Sequence, residues 1–277
     1  MNYRWLLLLA CLLLPACDNS ENTTVESDES KPNASASDAV ISDSESAKSA
    51  AQMAFESADK EYAESYESFL KEIRALPESE QAAFASNAPE PEAYVDRFMA
   101  IAEEHPDDPA AFDSLFWIAR SRIGGDAAKR VFKILLEDHI ENKKLGDLCF
   151  GLMYSKPSPE IEARIKTLLE RSPHEQVKAM ATFALANYYV RLDAGSVKES
   201  EIEALYKSLI SNYSEIKMHE QSNQTFGQMA ERSIFELQNL SVGKIAPDIE
   251  GEDLDGITFK LSDYRGKIVV LDFWGDW

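Results

Sequence analysis

Three cysteines and four histidines are the residues in this chain whose side chains could do nucleophilic or metal chemistry: Cys11, Cys17, Cys149, His105, His139, His174 and His219. Cys11 and Cys17 sit in an apolar N-terminal stretch, which leaves Cys149 as the one thiol of the folded part. A single thiol cannot close an internal disulfide, so no disulfide framework is expected. The histidines are scattered and show neither HExxH nor Cys/His ligand spacing, so no metal set is assigned. Cys149 lies beside Leu145, Leu148, Leu152 and Met153, with no Lys, Arg or His one helical turn away. A thiol becomes reactive in an electropositive, exposed setting, so Cys149 reads as a small core residue. Tyr188 and Tyr189 likewise read as core and groove. No catalytic, cofactor-binding or metal-ligating residue is assigned within the chain. Its charge narrows the partners: 49 acidic against 28 basic residues give a net charge of −21. With no basic patch, such a chain repels phosphate backbones, and nucleic acid is excluded as a partner.

The elements around these residues differ sharply in composition. Residues 1–16 carry one cation, Arg4, followed by an apolar run from Trp5 to Leu14. That is the pattern of an export signal, too short to remain as a membrane span. It ends Leu14-Pro15-Ala16-Cys17, which resembles a bacterial lipoprotein box, with Pro15 an unusual residue two positions before the cysteine. The resemblance implies cleavage before Cys17 and lipid attachment to it, which would anchor the protein to a membrane. Asp18 resembles an inner-membrane retention signal. An ordinary secretory signal with an incidental Cys17 is the alternative. The expected location is the cell envelope, at the periplasmic face of a membrane. Residues 17–49 are rich in Ser, Asp, Glu and Asn and hold almost no large apolar residue. Such a segment cannot offset its ordering entropy by burial and is expected to be a disordered tether.

From residue 50 to 240 the apolar residues recur at helical spacing. Phe55, Ala58, Tyr62, Tyr66, Phe69 and Ile73 form one stripe, closed by Pro77. Further stripes are Tyr94/Phe98/Ile101/Ala102, Phe112/Leu115/Phe116/Ala119, Val131/Phe132/Leu135/Leu136, Leu145/Leu148/Leu152/Met153 and Ile161/Ile165/Leu168/Leu169. Breakers separate them at 105–109, Gly124-Gly125, 156–159 and Ser172-Pro173. Longer helices are expected around 180–192, 202–213 and 226–240. The region is expected to be all-α, an array of helical hairpins that resembles tetratricopeptide repeats, though the diagnostic repeat residues are missing. Such arrays present a surface to a protein partner or serve as spacers.

Residues 241–277 change to Gly, Asp and β-branched residues. Asp253-Leu254-Asp255-Gly256 is a turn signal between two short strands, and 268–273 reads as a strand buried on both faces. Gly243, Ala246-Pro247-Asp248, Asp253, Asp255-Gly256, Leu261-Ser262-Asp263, Gly266-Lys267 and Phe273-Trp274-Gly275-Asp276-Trp277 stand in a fixed order. That order resembles the start of the redoxin branch of the thioredoxin superfamily. The branch includes alkyl hydroperoxide reductase and thiol-specific antioxidant proteins, and the membrane-anchored thiol–disulfide reductases of cytochrome c maturation. Gly275-Asp276 departs from the commoner Ala-Ser. The whole is thus expected to be mostly α, followed by the first strands of an incomplete α/β thioredoxin-like domain.

The resemblance implies that the first cysteine of a Cys-x-x-Cys would come next after Trp277, at a helix N-terminus that stabilises its thiolate. A chain ending at Trp277 is then expected to lack its catalytic thiols. A gene-model error, a nonsense change at a cysteine codon or a selenocysteine codon read as stop would each account for that. The resemblance implies a thiol–disulfide oxidoreductase acting on disulfide-containing proteins and reduced by a membrane electron donor, with no separate cofactor. A helical-repeat lipoprotein that acts as a binding module, and a thiol peroxidase of the antioxidant type, are the alternatives. The tryptophan-rich end favours the reductase over the peroxidase. Residues 241–277 alone are too few to bury a core and leave 268–273 without partner strands, so this whole tail is expected to be disordered or aggregation-prone.

Overall fold

The computed structural model describes residues 48–192 and 196–273. The expected export signal (1–16), Cys17, tether residues up to 47 and the stretch 274–277 lie outside the described residues. The chain divides into two compact units, Met1–Ala111 and Phe112–Trp277.

In the first unit, Ser49 is extended and its hydroxyl accepts the Gln52 N–H at 2.9 Å, capping helix α1 (Ala50–Ala75). The expected stripe is the face that packs: Ala58 is fully buried and Phe55, Tyr62, Tyr66, Phe69 and Ile73 are half-buried. Helices α2 (Glu78–Phe84) and α3 (Val95–Glu104) fold back along α1. Phe55 meets Phe98 at 5.6 Å, Tyr62 meets Tyr94 edge-on at 5.4 Å, and Phe69 stacks on Phe84 at 5.7 Å. The partner numbers fall as the α1 numbers rise, so this is an antiparallel aromatic seam. The sequence predicts the end of α1 at Pro77 but not α2, whose seven residues carry no long apolar stripe.

The second unit begins within α4 (Pro109–Arg120) and continues through α5 (Gly125–Asp138), α6 (Gly146–Tyr154), α7 (Pro159–Arg171), α8 (Glu175–Val190), α9 (Glu199–Tyr213) and α10 (Phe226–Asn239). Helix α5 packs on α7, α6 on α8 and α8 on α10, while α8 also packs on α7 and α9. This neighbour and next-but-one pattern is that of a helical-hairpin array.

Helix α8 is the centre of the array. Val177, Ala179, Ala181, Thr182, Ala184, Leu185, Ala186 and Tyr188 are all buried, so nearly every face of the helix is covered. Its four alanines let neighbours approach closely. At the start of α6, a Cβ on Gly146 would come within 3.1 Å of Met180 Sδ. At the C-terminal end of α8, the Tyr188 hydroxyl donates to the Ser158 carbonyl and accepts the Ser158 N–H, both at 2.9 Å. Ser158 is the N-cap of α7, so one phenol ties the two helices together. Beyond α8, Ile202, Tyr206 and Leu209 of α9 meet Phe226 and Ala230 of α10. Thr225 and Gln228 form a capping box that starts α10. There Gly227 donates its N–H to Ser214 O, and a Cβ on it would lie 2.9 Å from the Ser214 backbone.

After α10 come two short strands, β1 (Glu250–Glu252) and β2 (Thr258–Lys260), paired antiparallel with Gly251 opposite Phe259. The fold is thus mostly α and ends in the first strands of a thioredoxin-like segment. Residues 268–273 correct the expectation of a strand buried on both faces. They join no sheet, and Ile268, Val270 and Phe273 are 99%, 88% and 79% exposed. Among the described residues no strand lies beside this run, and β-propensity is realised only through neighbours.

Two substitutions probe the array. Gly227→Ala forces Cβ into the Ser214 backbone and is expected to lower the unfolding free energy by about 1–3 kcal/mol, the usual range for overpacking. Tyr188→Phe removes both bonds to Ser158 and is expected to cost about 1–3 kcal/mol. Urea unfolding followed by helical circular dichroism measures both.

Candidate functional site

The segment 241–273 is built by short-range hydrogen bonds from the residues that carry the family pattern. Asp253 Oδ1 accepts the N–H groups of Asp255 and Ile257, both at 2.9 Å, and Gly256 completes the turn at φ +75°. Only glycine takes such a φ without strain, so the Asp-x-Asp-Gly order is a turn specification. Across the hairpin, Asp248 accepts from Ser262 twice, from its N–H at 2.8 Å and from its hydroxyl at 2.7 Å. Leu261 donates its N–H to Ile249 O at 2.9 Å beside this pair. Asp263 Oδ2 accepts the Lys260 N–H at 2.9 Å and starts the short turn of 3-10 helix Leu261–Tyr264. Arg265 at φ −58°, ψ 138° and Gly266 at φ +82° then form a type II turn closed by Lys267 N–H to Tyr264 O at 3.0 Å.

These bonds aim the run 268–273 back past the hairpin. Val269 and Leu271 turn toward Ile249, Phe259, Leu261 and Tyr264, and the six side chains line an apolar cavity of about 160 Å³. Phe259 and Tyr264 meet edge-on at 6.3 Å in its wall. The geometry is a scaffold: it fixes where an extended run begins and which of its faces meets the hairpin. Residues 241–277 contain no cysteine.

The Asp248 carboxylate is held below its ordinary value of 3.8, first by the Ser262 hydroxyl and then by the Ser262 N–H. A depressed carboxyl stabilises the folded form above the unfolded pKa and loses that contribution as pH falls through the folded one. The hairpin bracket therefore weakens on acidification below the ordinary carboxylate range.

Cys149 occupies the place its neighbours predict. It is 1% exposed on the buried face of α6. Burial, with the Asp147 carboxylate adding to it, pushes the thiol up to about 12. The histidines are dispersed. His139 lies edge-on to Phe112 at 5.5 Å, and His174 Nε2–H donates to Glu141 O at 2.6 Å at the start of α8. Tyr188 is core, and Tyr189 donates to Glu162 Oε1 at 2.7 Å.

Residues 242–277 match the AhpC/TSA family. Over 38 residues the chain is 53% identical to the thiol–disulfide oxidoreductase ResA of Geobacillus thermodenitrificans and 55% identical to that of Geobacillus kaustophilus. This segment belongs to the redoxin branch of the thioredoxin-like superfamily. The ResA of Bacillus thuringiensis is 42% identical over 40 residues. Each of these alignments covers 14% of this chain and 22–23% of the relative, so the chain spans less than a quarter of their length. No solved structure matches the chain.

The residue pattern predicted the redoxin positions but not what they do. The Asp248–Ser262 bracket has a readable signal, an acid and a hydroxyl on either side of a predicted hairpin. The cavity wall has none, because Ile249, Phe259 and Tyr264 are ordinary apolar residues until the hairpin brings them together.

Asp248→Ala is expected to open the bracket, collapsing the backbone amide shifts of 248–263 toward random-coil values while those of α5–α10 stay in place. Two-dimensional NMR reads this directly, and acidification of the unaltered protein gives the same shift pattern. For Cys149, iodoacetamide at pH 8 is expected to leave the native thiol unmodified and to alkylate it in urea. Between pH 9.0, the ordinary thiol value, and about 12, the unfolded chain loses this proton and the folded chain keeps it. Stability therefore falls with rising pH across that window.

Proposed function

We propose that residues 242–277 open the thiol–disulfide oxidoreductase domain of an exported, lipid-anchored protein, with the helical region between tether and enzyme. The observation that carries this reading is the redoxin pattern itself, folded into the Asp253 turn, the Asp248–Ser262 bracket and the Gly266 turn. Relatives that match this stretch are thiol–disulfide oxidoreductases, which favours reductase over peroxidase chemistry.

In that chemistry one thiolate attacks a substrate disulfide, forms a mixed disulfide and expels one substrate thiolate. The second thiol then displaces the other substrate sulfur. Two electrons pass to the substrate, and a membrane electron donor restores the dithiol. The extended run 268–273 would set the first thiol at a helix start, where free N–H groups stabilise the thiolate. Cys17 would carry the lipid, and the helical region would present a surface to a protein partner.

Two measurements test the reading. Protein carrying the complete redoxin domain that this segment would open is expected to reduce insulin disulfides and to trap as a mixed disulfide when the second thiol is replaced. Hydroperoxide consumption without disulfide reduction would point to the peroxidase, and inactivity in both assays to a binding module. Separately, Cys17→Ser is expected to abolish incorporation of labelled fatty acid and move the protein from the membrane to the soluble fraction. Unchanged membrane retention would remove the lipid anchor from the reading.

A further inference from the structure

Cys149 shares a cavity lining with three methionines. Cys149 and Met153 of α6, Met180 of α8 and Met218 of the loop before α10 line a single small cavity, together with Phe150, Phe183, Ala184 and Phe226. Four of these eight side chains therefore end in or contain sulfur, and they come from three separate stretches of chain. The cavity is about 10 Å³, the lower limit for one water and far too small for an organic ligand. Methionine is the side chain best able to reshape itself to fill a gap in a core. Three of them surround this one, and it stays open.

We infer that this cavity is a binding site for a monovalent soft cation, Cu(I), held by the Cys149 thiolate and the thioethers of Met153, Met180 and Met218. Soft thiolate and thioether donors suit Cu(I), zinc and iron–sulfur centres, and of these zinc and iron–sulfur sites need several thiolates or imidazoles, which this lining lacks. The lining includes no carboxylate, imidazole or hydroxyl, so hard cations find no ligands there. Charge points the same way. A thiolate and Cu(I) form a neutral pair, which a low-dielectric site tolerates, whereas a divalent ion would leave a net positive charge buried among apolar groups. Cys149 and Met153 are buried, while Met180 and Met218 are partly exposed and supply the way in.

Binding is an exchange of one proton for one cation. The Cys149 S–H bond breaks, an S–Cu bond forms, the proton leaves to solvent, and no electron is transferred. Because this thiol keeps its proton throughout the neutral range, the apparent affinity rises about tenfold for each pH unit, with one proton released per ion. That slope separates the site from thioether-only binding, which releases none.

The test uses the full chain carrying Cys11→Ser and Cys17→Ser, so that Cys149 is its one thiol. Cu(I), supplied as its acetonitrile complex under anaerobic conditions, is titrated against a chromophoric Cu(I) chelator at pH 6, 7 and 8. The expected result is one tightly bound equivalent, the tenfold slope per pH unit, and thermal stabilisation of the helical fold. Adding Cys149→Ser is expected to abolish the equivalent, and Cys149→Ala controls for burial of a hydroxyl. Replacing Met153, Met180 and Met218 by leucine keeps the apolar volume and is expected to weaken binding while leaving the helical circular dichroism intact. Failure to compete with the chelator overturns the proposal. So does an equivalent that survives Cys149→Ser, or an affinity unchanged by the three leucines.

Discussion

The array depends on one helix being small on nearly every side. Helix α8 has α6, α7, α9 and α10 against it, and it can do so because Ala179, Ala181, Ala184 and Ala186 hold the neighbouring backbones near its own. Close packing of this kind leaves little room to relax, so volume added or removed there is felt by several helices at once. Two larger side chains of the helix do separate jobs. Met180 packs over Gly146, and Tyr188 ties the cap of α7 to the end of α8.

The same feature explains what could be read in advance. The stripe on α1 was legible because that helix packs on one side only, and Phe55, Tyr62 and Phe69 stand at helical spacing against a polar remainder. Helix α8 was legible only in part. Its apolar and small residues run all the way round, so period 3.6 fades, and the start inferred near Met180 lies one turn and more after the observed start at Glu175. Cys149 was placed correctly from its neighbours alone. The sulfur cavity was not foreseeable, because Met218 joins it from a loop whose path is set by Gly227 and the Thr225 cap rather than by any local pattern.

In the redoxin segment legibility divides along another line. Turns are specified locally, by residues that accept particular dihedrals or particular N–H groups, and the Asp253–Gly256 turn was read from sequence for that reason, whereas the turn at Gly266 emerged only from the structure. A strand is specified by what lies beside it. Residues 268–273 have the composition of a central strand, but among the described residues they gain only a one-sided contact through Val269 and Leu271. The alternation of their exposure follows the period-two geometry of extended chain.

The Asp248–Ser262 bracket spans fourteen residues, and every other hydrogen bond that shapes the hairpin spans fewer. Contacts so close in sequence need little loop closure, and hairpins of this kind form in about 1–10 μs. The segment thus carries its own order of events. Hairpin and turns can close as soon as they leave the ribosome, since every bond that shapes them is short in sequence. The extended run is then already aimed along the hairpin, with Val269 and Leu271 against it.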